Sequence, residues 1–278
     1  MKTTLVRGVC ILAMLSMAAL SLFAWHYHRA LWPEARSFER LTGALYPHIA
    51  VLLPEGEGPF PTALVFHGCG GLQAEDRLRA ETAVARGYAA VLVDSHTPRD
   101  VDSKLNCAGR SLLGRERAAD VFAALAYARE HPVIDNSKLF LVGYSHGAWS
   151  ALEALSYGDT LPMALKSSPG GHLDGVLGVV AWYPYCGIAA RFRKGWDADI
   201  PVLMLLAGDD EVVSPTACET VARQAADMGK AVYTERYPAV SHGFDIKLDW
   251  VQRYDEAAAR RALRRQYEFM DALAGLAG

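Results

Sequence analysis

Leu139-Phe140-Leu141-Val142-Gly143-Tyr144-Ser145-His146-Gly147-Ala148-Trp149 decides the fold of this chain. Four apolar residues in a row fit a strand buried on both faces. The segment from His146 to Leu155 then fits a helix, so Gly143 to Gly147 must turn sharply from one element into the other. A serine on such a turn is held exposed at the strand end, and the flanking glycines let the backbone and helix approach closely. The helix N-terminus beneath it favours negative charge. The bland alternative is a glycine-rich strand end whose serine only caps the helix. The buried strand before it and the helix after it favour a nucleophile at Ser145.

Outward from this turn, short apolar runs alternate with amphipathic segments. Strands are expected at Ile49–Leu53, Ala63–Phe66, Ala89–Val93, Leu139–Val142, Val176–Ala181, Val202–Leu206 and Val232–Tyr237. Helices are expected at Glu75–Arg86, Arg115–Glu130, His146–Leu155, Pro215–Met228 and Glu256–Leu273. Ser214-Pro215 supplies a cap followed by a proline at the first helical turn, and Gly87 and Gly229 supply stops. Alternating strands and helices predict an α/β domain with a mostly parallel, doubly wound sheet. Its length of 278 residues leaves ample material for a core.

A serine at its ordinary pKa needs a base, and the base needs an acid to orient it. In this architecture the chain order is serine, acid, histidine. Two histidines follow the elbow helix, His172 and His242. His172 sits in a glycine-flanked loop before a strand, with few acids between it and Ser145. His242 follows the last expected strand, at the strand end where sites on open sheets form, so it is the expected base. The turn after Val202–Leu206 offers Asp209, Asp210 and Glu211. Adjacent acids usually mark a solvated turn; Asp210 is preferred, then Glu211, then Asp209. The amide of His146 and an amide of His67-Gly68-Cys69-Gly70-Gly71, at Cys69 or else Gly70, are the expected oxyanion donors. His67 precedes the nucleophile and reads as a structural hydrogen-bonding residue.

Together, His67-Gly68-Cys69-Gly70-Gly71, Val93-Asp94-Ser95 with Arg99, Gly143-Tyr144-Ser145-His146-Gly147, and Tyr237-Pro238 with His242-Gly243-Phe244-Asp245 resemble the dienelactone hydrolase family of α/β-hydrolases. The likeness runs from about Pro54 to Asp245. It implies an α/β-hydrolase fold and hydrolysis of esters or lactones through an acyl-enzyme. Founding members carry a cysteine nucleophile where this chain has Ser145, which points away from dienelactones toward general carboxylic esters. The family's register in the acid loop, counted from Gly208 and Pro215, lands on Glu211, while a one-residue deletion restores Asp210. Spacing alone leaves the pairing of Cys69, Cys107, Cys186 and Cys218 open, with reduced buried thiols as the alternative. The resemblance implies Cys69–Cys107 and Cys186–Cys218 disulfides. Asp94, Arg99, Arg117 and Asp120 also match family positions. Arg117 and Asp120 are spaced to pair along one helix, and Arg99 is a lesser candidate for an anionic substrate. Tyr144, Trp182, Tyr183 and Tyr185 are candidates for an acyl pocket, although aromatics beside a strand end more often belong to the core.

Composition bounds the rest. With 51% hydrophobic and 21% charged residues, the chain is no disordered protein. A net charge of −3 without a basic patch excludes a nucleic-acid partner. No phosphate-cradling glycine loop or metal-ligand spacing occurs, so no cofactor and no metal are expected. Residues 8–25 form one uncharged apolar run, preceded by Lys2 and Arg7 and followed by Arg29, Arg36 and Arg40. The expected organisation is therefore a signal peptide or membrane anchor over residues 1–30 and a hydrolase domain over 38–278. Export follows, with attachment through residues 8–25 or release after cleavage near Ser21. The connections Gly158–Val176 and Tyr183–Pro201 are too short for a large lid, which suits small or medium esters. The substrate is expected to be a small molecule, and no feature of the chain specifies an oligomeric state. Rival readings are a peptidase or thioesterase on the same scaffold and a non-enzymatic, membrane-tethered binding protein.

Overall fold

The computed structural model describes residues 2–28, 32–158, 160–167, 170–247 and 253–276. Arg29, named above as following the apolar run, lies outside them. In chain order the main elements are helix α1 (Lys2–His26), α2 (Phe38–Leu45), strand β1 (Ile49–Leu52), β2 (Phe60–Phe66), α3 (Ala74–Ala85) and β3 (Ala89–Val93). They continue with α4 (Ser103–Cys107), α5 (Gly114–Glu130), β4 (Ile134–Tyr144), α6 (His146–Leu155), β5 (Val176–Trp182), β6 (Val202–Ala207), α7 (Pro215–Asp227), β7 (Val232–Tyr237) and α8 (Glu256–Ala274).

The strands form one seven-stranded sheet in the order β1-β3-β2-β4-β5-β6-β7. Only the pairing of β1 with β3 is antiparallel. Side chains alternate across β2, where Leu64 and Phe66 join the core under α2, α5, α6 and α7. Ala63 and Val65 face the second core, closed by α3 and α8. Burial on both faces explains the unbroken apolar runs of β3, β4 and β6. Each large apolar side chain removed from water contributes roughly 1.5–3 kcal/mol. Helix α6 lies so deep that every residue from His146 to Leu155 is buried.

The chain order explains where a site can form. From β2 it winds outward to β3, then returns to place β4 on the other side of β2. That reversal leaves a crevice at the carboxyl ends of β2 and β4. Parallel register aligns Phe66 with Gly143, Tyr144 with Trp182, and Ala207 with Tyr237. The segments beginning at His67, Ser145, Tyr183, Gly208 and Pro238 therefore leave one edge of the sheet together.

Two helices go beyond the sequence reading. Helix α2 buries only Leu41 and Leu45 and is capped by Ser37, whose hydroxyl accepts from the Arg40 amide at 3.3 Å. Helix α4 is five residues long, too short for a periodic pattern, and is capped by Asp102. Strand β4 starts at Ile134 rather than Leu139, because Ile134 pairs back to Phe60. Val9–His26 within α1 is long and apolar enough to cross a membrane, has a mean hydropathy of 1.9, and none of it is buried.

Candidate active site

Ser145 ends β4 and starts α6 with φ 53° and ψ −113°. A positive φ at a residue with a Cβ is costly, and such strain persists only where surrounding structure enforces it. Here the enforcement is steric. A Cβ on Gly143 would lie 2.5 Å from the Ala148 backbone, and one on Gly147 would lie 2.1 Å from the Phe66 carbonyl. Both glycines are thus required for α6 to seat against β2 and β4. The Ser145 amide donates to the Trp182 carbonyl at 2.9 Å, which fixes the turn to β5.

His242 arrives from the loop after β7. That loop is tied to the one after β6 by the Gly208 amide donating to Tyr237 O at 2.7 Å and the Asp209 amide to Val240 O at 3.0 Å. The imidazole bridges the two sides. Its Nε2 lies 2.8 Å from Ser145 Oγ, and its Nδ1 lies 2.8 Å from Asp210 Oδ2. Asp210 Oδ1 accepts the amides of Val212 and Val213, each at 2.9 Å, and its side chain is 1% exposed. A carboxylate held this way keeps one oxygen for the histidine. Of the alternatives, Glu211 turns outward to Arg253 at 2.8 Å, and Asp209 is exposed. His172 stacks on Phe122, with ring centroids 4.2 Å apart.

The loop after β2 has its carbonyls captured one after another. His67 O accepts from Arg117 Nη1 at 2.8 Å, and Gly68 O meets His67 Nδ1 at 2.7 Å. Cys69 O accepts from Asn106 Nδ2 at 3.3 Å, and Gly70 O accepts from Gln73 Nε2 and Ser103 Oγ, both at 3.0 Å. Asn106 and Ser103 lie on α4, whose last residue, Cys107, is disulfide-bonded to Cys69. The amides of Cys69 and Gly70 have no acceptor among the described residues. A second disulfide joins Cys186 to Cys218. Both pairings are the ones that the family resemblance implied.

Beneath the elbow, Arg117 is fully buried and donates to Ser95 Oγ at 2.8 Å while approaching His146 Nδ1 at 3.3 Å. Burial, then the neighbouring Arg117 charge, push the His146 pKa well below its ordinary value, so the ring is neutral. His67 is also fully buried, and its Nε2 accepts the Ser95 amide at 3.1 Å, a structural role as expected. Arg117 and Asp120 do not pair as their spacing suggested. Asp120 bonds Arg99 instead, because Arg117 is turned toward the elbow. Arg99 also donates to Ser95 O and lines neither of the cavities that Ser145 opens onto.

A polar cluster beside His242 escaped the sequence reading. Arg79 on α3 donates to Asp76 at 2.8 Å and to Asp245 at 2.5 and 3.0 Å. Tyr183 donates to Asp245 at 2.6 Å, and its ring meets His242 edge-on at 4.7 Å. The Arg79 guanidinium lies 3.5 Å from the centroid of the Tyr144 ring. Asp76 to Arg79 is a three-residue helical spacing that signals a pair, but nothing local announces Asp245. Of the aromatic candidates, Tyr144 and Tyr183 line a cavity of about 190 Å³ beside Ser145, and Tyr185 lines one of about 320 Å³. Trp182 is core, 1% exposed and bonded to Gln266. No group of three His, Cys, Asp or Glu side chains able to hold a metal ion occurs among the described residues.

A hydroxyl, an imidazole and a shielded carboxylate in line can pass a proton away from the hydroxyl as it attacks a carbonyl. Comparison with known proteins bears on that chemistry. The model of the dienelactone hydrolase family matches residues 49–274. Among solved structures, a dienelactone hydrolase-like promiscuous phosphotriesterase from metagenomic libraries superposes with a TM-score of 0.61 at 18% identity, covering 81% of this chain and 92% of that one. Esterase 2 of Thermogutta terrifontis, phosphonylated by sarin, superposes with a TM-score of 0.63 at 17% identity, covering 83% and 91%. At these identities the structures share the fold. No curated protein matches the sequence.

Proposed function

This chain belongs to the dienelactone hydrolase family and is a carboxylic ester hydrolase, and from that premise we propose that it cleaves small or medium esters or lactones through an acyl-enzyme on Ser145. The observation that carries the reading is the line Ser145–His242–Asp210, with both hydrogen bonds at 2.8 Å. Ser145 Oγ attacks the ester carbonyl while His242 Nε2 takes its proton. Asp210 holds the Nδ1–H tautomer and stabilises the imidazolium. The amides of Cys69 and His146 receive the oxyanion, a contribution of about 3–4 kcal/mol per donor in comparable sites. His242 returns the proton to the leaving alcohol, then activates water to release the acid. None of these steps needs a cofactor.

The test is fluorophosphonate labelling of the full chain in detergent, a reagent class matched to the phosphonylated neighbour, with Ser145→Ala alongside. One label per chain in the parent and none in the variant is the expected result. Turnover of an ester should fall on the order of 10⁶-fold in the variant, as in other serine triads. A Ser145→Ala protein with full turnover would exclude the mechanism. A leaving-group panel of esters, thioesters and amides separates an esterase from a peptidase or thioesterase.

Residues 1–30 act, in this reading, as an export signal or anchor, and the catalytic domain spans 38–278. Support comes from the unburied apolar helix Val9–His26 and from two disulfides, which persist in oxidising compartments. Intact-mass measurement of protein from a membrane fraction distinguishes an anchored chain from a cleaved one.

A further inference from the structure

Ser145 opens onto two cavities that differ in the charge of their lining residues, and only one of them contains His242. The smaller, about 190 Å³, is lined by His242, Tyr144, Tyr183, Glu75, Asp76 and Arg79, among others. The larger, about 320 Å³, is lined by Leu113, Trp149, Tyr185, Ala189, Val212 and Val213, together with the Cys69–Cys107 disulfide. It also holds His146, neutral through burial, and Asn106, whose side-chain NH2 is committed to Cys69 O and His96. None of the described residues lining the larger cavity carries a charge at neutral pH.

The position of His242 assigns the two sides. The imidazolium must hand its proton to the leaving oxygen, so the alcohol half of the ester lies on the His242 side. The acyl half then occupies the uncharged cavity. Its walls are fixed in advance: Trp149 donates to Glu153 at 2.7 Å, packs tilted against Tyr185 with ring centroids 4.6 Å apart, and sits so tightly on Gly114 that a Cβ there would lie 2.3 Å away. On the alcohol side Arg79 is already shared between the two carboxylates of Asp76 and Asp245, and Glu75 adds further negative charge. Among the described residues neither cavity offers an uncommitted cation.

We propose that this enzyme selects esters with an uncharged apolar acyl group, aliphatic or aromatic, joined to a short neutral or cationic alcohol, and that it rejects esters carrying a carboxylate. The inference rests on Ser145 being the nucleophile. In the step concerned, the bond from Oγ to the acyl carbon forms and the bond to the alcohol oxygen breaks, the proton passing from Oγ to Nε2 to that oxygen. A carboxylate in the acyl group would lose its hydration with no counter-ion in return.

The test uses the full chain in detergent, active-site-titrated with a fluorophosphonate. Methyl 5-methylhexanoate and monomethyl glutarate differ by an isopropyl group in place of a carboxylate of similar shape. The neutral ester should have the higher kcat/KM by roughly 100-fold or more. Methyl heptanoate and hexyl acetate are isomers with the bulk on opposite sides of the ester; the former should be favoured at least tenfold, on the order of the discrimination apolar pockets achieve. Val212 is 57% exposed at the rim of the acyl cavity, so Val212→Lys should fold and narrow the glutarate gap by roughly tenfold. Protein that labels at Ser145 but treats each pair alike overturns this inference and leaves the esterase reading intact. Protein that does not label at Ser145 overturns both.

Discussion

Asp210 Oδ2 stands 2.8 Å from His242 Nδ1, while the adjacent Glu211 faces away to Arg253. One step along the chain separates a carboxylate with 1% exposure from one with 47%. Asp210→Asn should therefore reduce kcat by roughly 10⁴-fold, because an amide favours the wrong imidazole tautomer. Glu211→Gln should stay within a few-fold of the parent, since an exposed ion pair contributes about 1 kcal/mol at most. Steady-state kinetics on one ester decide the matter, and equal losses in the two variants would contradict the assignment.

Asn106 lines the larger cavity beside Ser145 and also holds the Cys69 carbonyl, at 3.3 Å. Removing it with Asn106→Ala frees the Cys69–Gly70 peptide, which adjoins the peptide that carries the proposed Cys69 donor. A kcat loss of roughly 10-fold to 100-fold is expected, with KM changed little, the signature of a lost transition-state contact. A rise in KM at constant kcat would instead place Asn106 in ground-state binding.

Gly147 cannot be enlarged. An alanine methyl would lie 2.1 Å from the Phe66 carbonyl and 2.6 Å from that of His67, both backbone atoms with no freedom to retreat. Gly147→Ala should cost on the order of 4 kcal/mol or more of stability. Gly70→Ala, which meets nothing within 4 Å, is the control. Chemical denaturation of both variants measures the difference; similar midpoints would show that α6 can shift without penalty.

Glu116 gives a pH prediction with a definite sign. Burial pushes its carboxyl up from 4.5 to about 7, against the opposing pull of Arg99, and Oε2 has no hydrogen-bond partner among the described residues. Between those two pH values the folded chain retains a proton that the unfolded chain has lost, so this group lowers stability as pH rises. Glu116→Gln should match the parent most closely near pH 4. It should then gain relative stability up to about pH 7, by on the order of 2 kcal/mol after allowing for partial exposure, and stay level above that. Thermal unfolding of the pair across pH reads this directly. A difference that does not vary with pH would mean Glu116 ionises normally in the folded protein.

Local patterns carry much of this architecture. Unbroken apolar runs at Ala89–Val93 and Val202–Leu206 fall on β3 and β6, and His146–Leu155 coincides with α6. These elements are legible because burial on both sides of a sheet, or all round a helix, is written into adjacent residues. Helix α4 and the early start of β4 are not, since each depends on a distant partner: Cys69 for one, Phe60 for the other.

The sequence by itself determined the strand-turn-helix at Ser145 and the histidine after the last strand, because steric demands at Gly143 and Gly147 and the order of strands are properties of contiguous residues. Tertiary structure alone set Asp210 rather than Glu211 against His242, sent Asp120 to Arg99 rather than Arg117, and joined Arg79 to Asp245 across 166 positions. Those outcomes turn on which side chain lies within about 3 Å of a charged partner. That distance is fixed only when loops from different strands meet at one edge of the sheet.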